Sequence, residues 1–478
     1  MKKAMSVNIP VPQWIRALGV RVMPFADVAS TDWPVSRLVR LSLFQWGIGL
    51  VTALLVGTLN RVMILELQVP AWWVALSVAL PMVFAPLRAL IGDRSDTHPS
   101  ALGLRRIPYL WMGSLLLFAG LAILPFALLL LSEGDGHGLW LGRLGAGLAF
   151  LLIGAGIQIT QTAGMALAND VMAEDKRPRM VALLYAMLLI GLICGSAVYG
   201  WLLQDFSPKR LIQVIQGTAL TVVVVNLVSM WKQEARSAKR GPRQTGGFGL
   251  RWQRLMAEPH MRRFLWTVAL GTMAFGMQDV ILEPYGGAVL HLSVGDTSWL
   301  TGQTALGSLV AFSLSAHWLS KGLHACRLSA LGLIVGMLAF PCVIFSAPLD
   351  AAWMFQLGAM LIGFGGGLFA VGMLVTAMEF GDATLSGLVI GAWGAVQATA
   401  SGVAMALGGG LRDAVDSLAM SGQLGEVLQS PVTGYSFVYH LELYLLFVVL
   451  VALGPMLRKP SGTQHKRSHR FGLAELPG

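Results

Sequence analysis

Long apolar runs, separated by short polar segments, make up most of the chain. Each run has about twenty residues or more, which is the length that an α-helix needs to cross the core of a bilayer. The shorter alternating segments of a membrane β-barrel are not seen. The pattern predicts an all-α integral membrane protein with about twelve transmembrane helices, near residues 42–60, 71–92, 107–131, 140–168, 180–203, 211–231, 263–283, 298–320, 328–347, 351–378, 383–408 and 440–457.

The polar segments divide these helices into two groups of six. The longest basic segment lies between the sixth and seventh runs and contains Gly-Pro and Gly-Gly pairs, which favour a linker. We therefore expect two six-helix halves joined by a cytoplasmic linker. The expected boundaries are 1–41 for an N-terminal segment, 42–231 for the first half, 232–262 for the linker, 263–457 for the second half and 458–478 for the tail.

Two of the polar segments are expected to form short helices of their own. Apolar residues recur at helical spacing through Val11–Val28, with Arg16 and Arg21 among them, which is typical of an amphipathic helix on a membrane surface. A partly ordered tail is the alternative. The stretch 409–439 is expected to be an outer loop, with a short helix in Ala414–Val427.

Composition and charge support a membrane protein with its termini in the cytoplasm. Of all residues 55% are hydrophobic and 12% are charged, against about 25% charged in soluble domains. The net charge of +10 comes from short loops and therefore indicates topology rather than nucleic-acid binding. Of the 34 Lys and Arg residues, 29 fall on the side of the two termini. We therefore expect a multi-pass inner-membrane protein with both termini cytoplasmic.

An internal repeat links the two halves. Ile153–Gly156 and Ile362–Gly365 are similar, and each is followed at the same distance by polar residues, Asn169-Asp170 in one half and Glu379 in the other. We expect these polar residues to pair with Arg177, Arg179 or nearby helix ends. A weaker match aligns Glu66–Val69 with His291–Val294. Two related six-helix halves are typical of the major facilitator fold.

The loop after the second run is similar to the Gly-Asp-Arg-rich loop of major facilitator proteins. In that superfamily the acid and the bases tie neighbouring helices together on the cytoplasmic side. Here the final basic pair is displaced by several residues, and a simple charged turn is the alternative. The residues of this motif are Gly92, Asp93, Arg94, Asp96, Arg105 and Arg106.

More specific motifs resemble one family within that superfamily. They are Gly57–Ile64, Ser95–His98, Arg106–Tyr109, Met277–Gly287 and Gly391–Ala398. Together they resemble the PucC/LhaA family, also called the bacteriochlorophyll-delivery family, from about residue 37 to 457. The stretch Pro24–Asp27 and the long N-terminus are closer to the LhaA-type branch, which is linked to light-harvesting complex 1 (LH1).

This resemblance implies a non-enzymatic role in photosynthetic membranes. Members of the family are associated with the assembly of light-harvesting complexes, and handling of bacteriochlorophyll has been proposed for them. The implied partners are the antenna α and β polypeptides, the reaction centre–LH1 complex and membrane lipids. The implied location is the intracytoplasmic photosynthetic membrane, and the implied cofactor is bacteriochlorophyll, transient or bound.

Polar residues at the ends of the first and seventh runs are candidates for a gate or a cavity, because ionisable groups at membrane depth are costly. An Arg61 that pairs with Asp279 or Glu283 would close the outer side, although these groups could also lie at the interface. A pair of glutamines in the fourth run could line a cavity or join helices. The candidates are Asn60, Arg61, Glu66, Gln158, Gln161, Gln278, Asp279 and Glu283.

Pigment ligands and competing functions remain open at this level. His317 and His291 are the histidines nearest to membrane depth and are candidate ligands for bacteriochlorophyll magnesium, although Asn, Gln or water could also bind it. The family resemblance favours an assembly factor. The alternatives are a proton-coupled secondary transporter of a small solute, with Asp279 or Glu283 as the coupling acid, and a structural subunit of the finished complex.

Overall fold

A computed structural model describes residues 35–83, 104, 106–133, 137–172, 177–234, 256–380 and 386–457. The first half contains α1 (Val35–Leu54), α2 (Ala71–Val83), α3 (Ile107–Glu133), α4 (His137–Val171), α5 (Arg177–Leu202) and α6 (Pro208–Met230). The second half contains α7 (Pro259–Gly276), α8 (Leu282–Ala288), α9 (Val294–Ser320), α10 (Ala325–Ser346), α11 (Ala352–Phe380), α12 (Ser386–Met420) and α13 (Val432–Leu457).

Nine of the described helical segments are long and apolar enough to cross a membrane. The other three of the twelve predicted positions are filled by α2, α9 and α12, while α8 continues the path of α7. Phe150 is buried in an apolar cluster of the first half that Val280, Val294 and Met405 of the second half join. Phe340 is buried in a cluster of the second half. The prediction of an all-α protein with about twelve long helices is confirmed.

Some predicted boundaries differ from the helices. The first helix is already formed at Val35 rather than at residue 42, and the last begins at Val432 rather than at 440. The predicted loop at 409–439, with a short helix in Ala414–Val427, is wrong because α12 continues to Met420. Arg412 pairs with Asp413 at 2.7 Å and with Asp416 at 3.8 Å, so the charges that suggested a loop are satisfied along one helix. The predicted surface helix Val11–Val28 lies outside the described residues.

The two halves repeat the same irregular junction. Gln68 and His291 both have φ of 52°, and in each case the next residue donates a backbone hydrogen bond six residues back, from Val69 to Met63 and from Leu292 to Gly286. The weaker sequence match was therefore shifted by two residues, since it paired Glu66 with His291. The stronger match agrees with the fold, because Ile153 and Ile362 lie equally far from the ends of α4 and α11.

The first helix of each half is distorted near its end. Two π-helical turns, Leu55–Leu59 and Val62–Glu66, extend α1, and a 3-10 turn, Met277–Val280, separates α7 from α8. Such turns change the direction in which the following side chains point. They lie at the end of the bundle where α1 ends and α2 begins, which we call the distal end. There α2 packs on α12 and α5 packs on α9, so the two halves meet.

Candidate functional site at the junction of the two halves

The distorted ends of α1 and α7 meet through Asn60 and Glu283. The Asn60 amide donates to Glu283 Oε2 at 3.2 Å and to the Val280 carbonyl at 3.2 Å. Thr301 on α9 donates to Glu283 Oε1 at 2.7 Å, so both carboxyl oxygens accept a hydrogen bond. Asn60 lies eight residues before Gln68, and Glu283 eight residues before His291. The pair therefore joins equivalent positions of the repeat.

Further contacts hold the distal end together. Thr58 and Ser298 share a hydrogen bond of 3.0 Å, and the backbone N–H of Trp72, at the start of α2, donates to Asp413 of α12 at 2.7 Å. With the two bonds from Asn60 and one from Arg61 to the Leu292 carbonyl, five hydrogen bonds between described residues join the halves here. We call this set the distal latch.

Arg61 does not make the predicted pair with Asp279 or Glu283. Its guanidinium pairs with Glu66 at 3.0 Å and donates to the Leu292 carbonyl at 3.1 Å. The reason is the rotation of α1, which places Asn60 rather than Arg61 opposite Glu283. Gly287 leaves room for this path, because a Cβ at that position would lie 2.8 Å from Arg61 Nε. Arg61 still joins the halves, although through a carbonyl.

Two more carboxyl groups lie at this junction, Asp279 within electrostatic range of Glu283 and Glu442 within range of Asp279. The 3-10 turn leaves the backbone N–H of Gln278 outside the helical pattern, and Glu442 on α13 accepts it at 2.8 Å. The side chain of Gln278 donates to Asp279. Glu442 is fully buried, and its second carboxyl oxygen has no hydrogen-bond partner. In the described part of the chain, Asp279, Glu283 and Glu442 have no Lys, Arg or His within ion-pair distance. We call these three residues the acid cluster.

Sequence reasoning missed Glu442 because the last run was placed from residue 440 onward. That boundary put Glu442 at the membrane edge, where a carboxylate is tolerated. The helix in fact begins at Val432, so Glu442 lies ten residues inside it. The signal that could have found it is the apolar spacing of Tyr435, Val438 and Tyr439, which extends the run by two turns.

Three tyrosines pack against the acid cluster. The Tyr285 ring lies 5.5 Å from the Tyr435 ring and 5.3 Å from the Tyr439 ring, both edge-on. The hydroxyls of Tyr435 and Tyr439 are buried and have no hydrogen-bond partner. Arg412 stacks on Tyr435 at 4.5 Å from the ring centre. Tyr439, the tyrosine of this group that lies within electrostatic range of Glu283 and Glu442, is thus held by other aromatic rings.

The two glutamines of α4 lie in the first half. Gln158 is buried, and the side chain of Gln161 donates to Gln45 of α1 at 3.4 Å. The contact from Gln161 agrees with the interpretation of these residues as a link between helices. They are not brought together with the acid cluster.

Part of the charged loop motif forms a network at the opposite end of the bundle. Arg106 is buried and pairs with Asp170 of α4 at 2.9 Å. The Glu234 carboxylate accepts hydrogen bonds from the backbone N–H groups of Arg106 and Ile107 at the start of α3. The first N–H groups of a helix have no partner within the helix, so Glu234 caps α3. Arg106 thus ties α3 to α4 through Asp170, an acid outside the motif. The remaining motif residues, Gly92, Asp93, Arg94, Asp96 and Arg105, lie outside the described residues.

The two candidate histidine ligands are exposed. His317 lies one turn before the end of α9. His291 lies in the short connection between α8 and α9. Among the described residues, no group of three His, Cys, Asp or Glu side chains is arranged to hold a metal ion.

A groove opens between α5 and α6, in front of α1. Its cavity volume is about 690 Å³. Polar residues such as Gln204 and Arg210 lie at its distal mouth, and Thr218 and Thr221 lie further along α6. The exposed side chains next to it on α6, Leu220 and Val224, are apolar. An apolar surface of this kind faces lipid. We call it the α5–α6 groove; its lining includes Trp46, Cys194, Trp201, Gln213, Gly217 and Thr221.

Comparison with known proteins decides the family. The model of the "PUCC protein" family matches residues 58–460. The chain belongs to the PucC family. The PucC protein of Rhodobacter capsulatus is 48% identical over 453 residues, which cover 92% of this chain and 96% of that protein. A second relative from Rhodobacter capsulatus, described as an uncharacterized protein in the puhA-bchM intergenic region, is 48% identical over 472 residues, 97% of this chain and 98% of that protein.

Solved structures establish the fold of this PucC-family chain. A bacterial homolog of the human lysosomal transporter Spinster, in an inward-facing and unoccupied conformation, aligns with a TM-score of 0.67 at 15% identity. The alignment covers 91% of this chain and all of that protein. The predicted major facilitator fold is therefore confirmed, as is the predicted PucC/LhaA family.

Proposed function

We propose that this chain is an assembly factor for a bacterial light-harvesting antenna, with LH1 as the complex that it serves. In this role it holds antenna α and β polypeptides in the membrane and handles bacteriochlorophyll for them. The observation that carries the proposal is membership of the PucC family across nearly the whole chain, with relatives of 48% identity. The proposed role needs no catalytic residue.

The α5–α6 groove is consistent with a ligand that enters the protein from the bilayer. Its volume of about 690 Å³ lies within the range of roughly 300–1,000 Å³ that is usual for small-molecule sites. That volume is too small for a whole transmembrane helix but suits part of an apolar pigment. We therefore propose that the groove receives bacteriochlorophyll, while the polypeptide partners contact the outer surface of the bundle.

The proposed location is the intracytoplasmic photosynthetic membrane, with both termini in the cytoplasm. The excess of Lys and Arg on the side of the termini supports this orientation. The distal latch then lies on the periplasmic side. Reporter fusions to the two termini, active only in the cytoplasm, test the orientation directly.

A pull-down tests the assembly role. A tagged form is isolated in mild detergent from cells that are making antenna, and its absorption spectrum and bound peptides are determined. We expect near-infrared absorption of bacteriochlorophyll together with antenna α or β polypeptides, which a tagged transporter from the same membranes does not recover. A colourless protein without partners would contradict the proposal, and stoichiometric recovery with mature complexes would replace it with a structural subunit.

A second candidate is a proton-coupled secondary transporter of a small solute. The acid cluster favours it, because Asp279 and Glu283 lie in a membrane-spanning segment without a basic partner. Accumulation of a solute in proteoliposomes that depends on an imposed pH gradient would support this candidate. Antenna recovery in the pull-down without any such uptake would reject it.

A further inference from the structure

We propose that Asp279, Glu283 and Glu442 bind protons as one site, and that the bound protons stabilise the closed distal latch. This inference goes beyond the assembly role and does not depend on it. The site joins α7, α8 and α13, because Asp279 follows α7, Glu283 lies in the first turn of α8 and Glu442 lies in α13. The ligand class is the proton, since the described residues offer no three-ligand metal site.

The first argument is the charge of the cluster. A carboxylate buried away from water is costly unless a positive group pairs with it. Glu283 and Glu442 are at most 2% exposed, and Asp279, which is half-buried, lies within electrostatic range of both. Three negative charges in this space would repel each other without compensation. Proton binding removes the charges without requiring any other group.

The second argument is a pair of unused polar atoms that point to a ligand. Glu442 Oε2 is buried without a partner, and so is the hydroxyl of Tyr439. Tyr439 lies within electrostatic range of Glu283 and Glu442. Native structures rarely leave such atoms unpaired. A site that gains and loses protons explains these two unpaired atoms. A protonated carboxyl group can donate a hydrogen bond, whereas a carboxylate can only accept one, so one arrangement cannot satisfy both forms.

The surrounding charged groups do not supply the missing positive charge. Arg61 is engaged by Glu66 and the Leu292 carbonyl, and Arg412 by Asp413 and Asp416. The α2 helix contributes no titratable side chain to the described part. At the distal ends of the elements around the cluster, the titratable and charged groups of the described residues are Arg61 and Glu66 of α1, Tyr285 of α8, Asp296 of α9, Cys342 of α10, Arg412, Asp413 and Asp416 of α12, and Tyr435, Tyr439 and His440 of α13.

The third argument connects the cluster to the latch. Glu283 accepts from Asn60 of the other half, and Glu442 holds the backbone of the 3-10 turn that positions Glu283. Glu283 already has two donors, so one negative charge is tolerated there, whereas a second or third charge repels it. The closed latch therefore binds more protons than an open, hydrated one. It is stabilised at acidic pH and weakened as the pH rises.

The test measures the distal end of the full-length protein in nanodiscs. Spin labels are attached at Ser132 in the last turn of α3 and at Ser421 after α12, both exposed, in a background without Cys194, Cys326 and Cys342. We expect one short distance at acidic pH and a growing long-distance population at alkaline pH. Glu442→Gln, which keeps an acceptor for Gln278 but carries no charge, should remain closed at alkaline pH. Glu426→Gln, at an exposed carboxyl of the same end, should behave like the unchanged protein.

A direct readout of the proton complements the distances. Infrared difference spectra should contain the carbonyl band of a protonated carboxyl group, and Glu442→Gln or Asp279→Asn should weaken it. If Glu442→Gln does not fold, Asp279→Asn provides the same comparison. A latch distance that ignores pH, or a Glu442→Gln protein that opens like the unchanged one, would overturn the proposal. The antenna pull-down is unaffected by that result, so the two proposals fail separately.

Discussion

Single side chains decide how the two halves meet. Asn60 supplies an uncharged donor at the point where Glu283 needs one, and Arg61, its neighbour, turns to Glu66 and Leu292 instead. The sequence predicted that polar residues gather at the ends of α1 and α7. It could not predict the pairs, because consecutive residues of a helix point about 100° apart and the π turns of α1 leave no sequence signal.

A charge swap tests the observed pairing of Arg61. Arg61→Glu should lower the free energy of unfolding by roughly 1–3 kcal/mol, since it removes a donor to Leu292 and leaves Glu66 unpaired. Adding Glu66→Arg should restore part of this loss, because the ion pair forms again in reverse. Thermal unfolding in detergent measures both. The control is the double variant Arg61→Glu with Glu283→Arg, in which we expect no recovery of stability. Recovery in this control would mean that Arg61 pairs with Glu283, as the sequence analysis suggested.

At the scale of the helix, the fold depends on backbone features that the apolar pattern does not contain. The repeat of Gln68 and His291 is a repeat of left-handed backbone rather than of residue type. Sequence comparison therefore matched the region but missed the alignment by two residues. Glu442 was missed for a related reason, because a helix can begin before its continuous apolar run does.

The left-handed residue His291 gives a test that separates strain from pigment binding. A non-glycine residue with left-handed backbone angles destabilises the fold by roughly 1–2 kcal/mol. His291→Gly removes this strain but adds conformational entropy to the unfolded chain. We therefore expect the free energy of unfolding to rise by up to about 1 kcal/mol. Chemical unfolding in detergent provides the measurement. The matched variant is Gln68→Gly, which should gain less because the Gln68 side chain donates to the Leu65 carbonyl. Loss of bacteriochlorophyll from the purified His291→Gly protein would instead assign His291 as a ligand.

Close helix contacts give a second test at this scale. Gly363 of α11 lies directly against the Thr304 carbonyl of α9, so an added methyl group would overlap with backbone. Gly363→Ala should therefore lower stability by about 1–3 kcal/mol, as overpacked cores usually do. Gly217→Ala, where the added atom meets nothing within 4 Å, is the matched control. Equal melting temperatures for the two variants would mean that α9 and α11 can move apart freely.

For the whole molecule, the sequence predicted more than it did for the site. The length of the apolar runs, the basic linker and the repeat around Ile153 and Ile362 were enough to predict two six-helix halves. Membrane-spanning segments must form their backbone hydrogen bonds internally, so long apolar runs are helices. The α5–α6 groove could not be predicted in this way. It arises because α5 and α6 are separated from each other along part of their length, and no single residue in the sequence indicates that separation.

The groove carries the last prediction, which concerns how the molecule receives its client. Gly217 faces the open space of the groove, so Gly217→Trp should fill the space without disturbing the fold. In the pull-down we expect this variant to recover several-fold less bacteriochlorophyll while antenna polypeptides remain, because those bind the outer surface. Gly410→Trp on α12, also with no neighbour within 4 Å, is the matched control and should recover both. Undiminished pigment with Gly217→Trp would place the pigment elsewhere on the surface, whereas loss of both clients would mean that pigment and polypeptide share the groove.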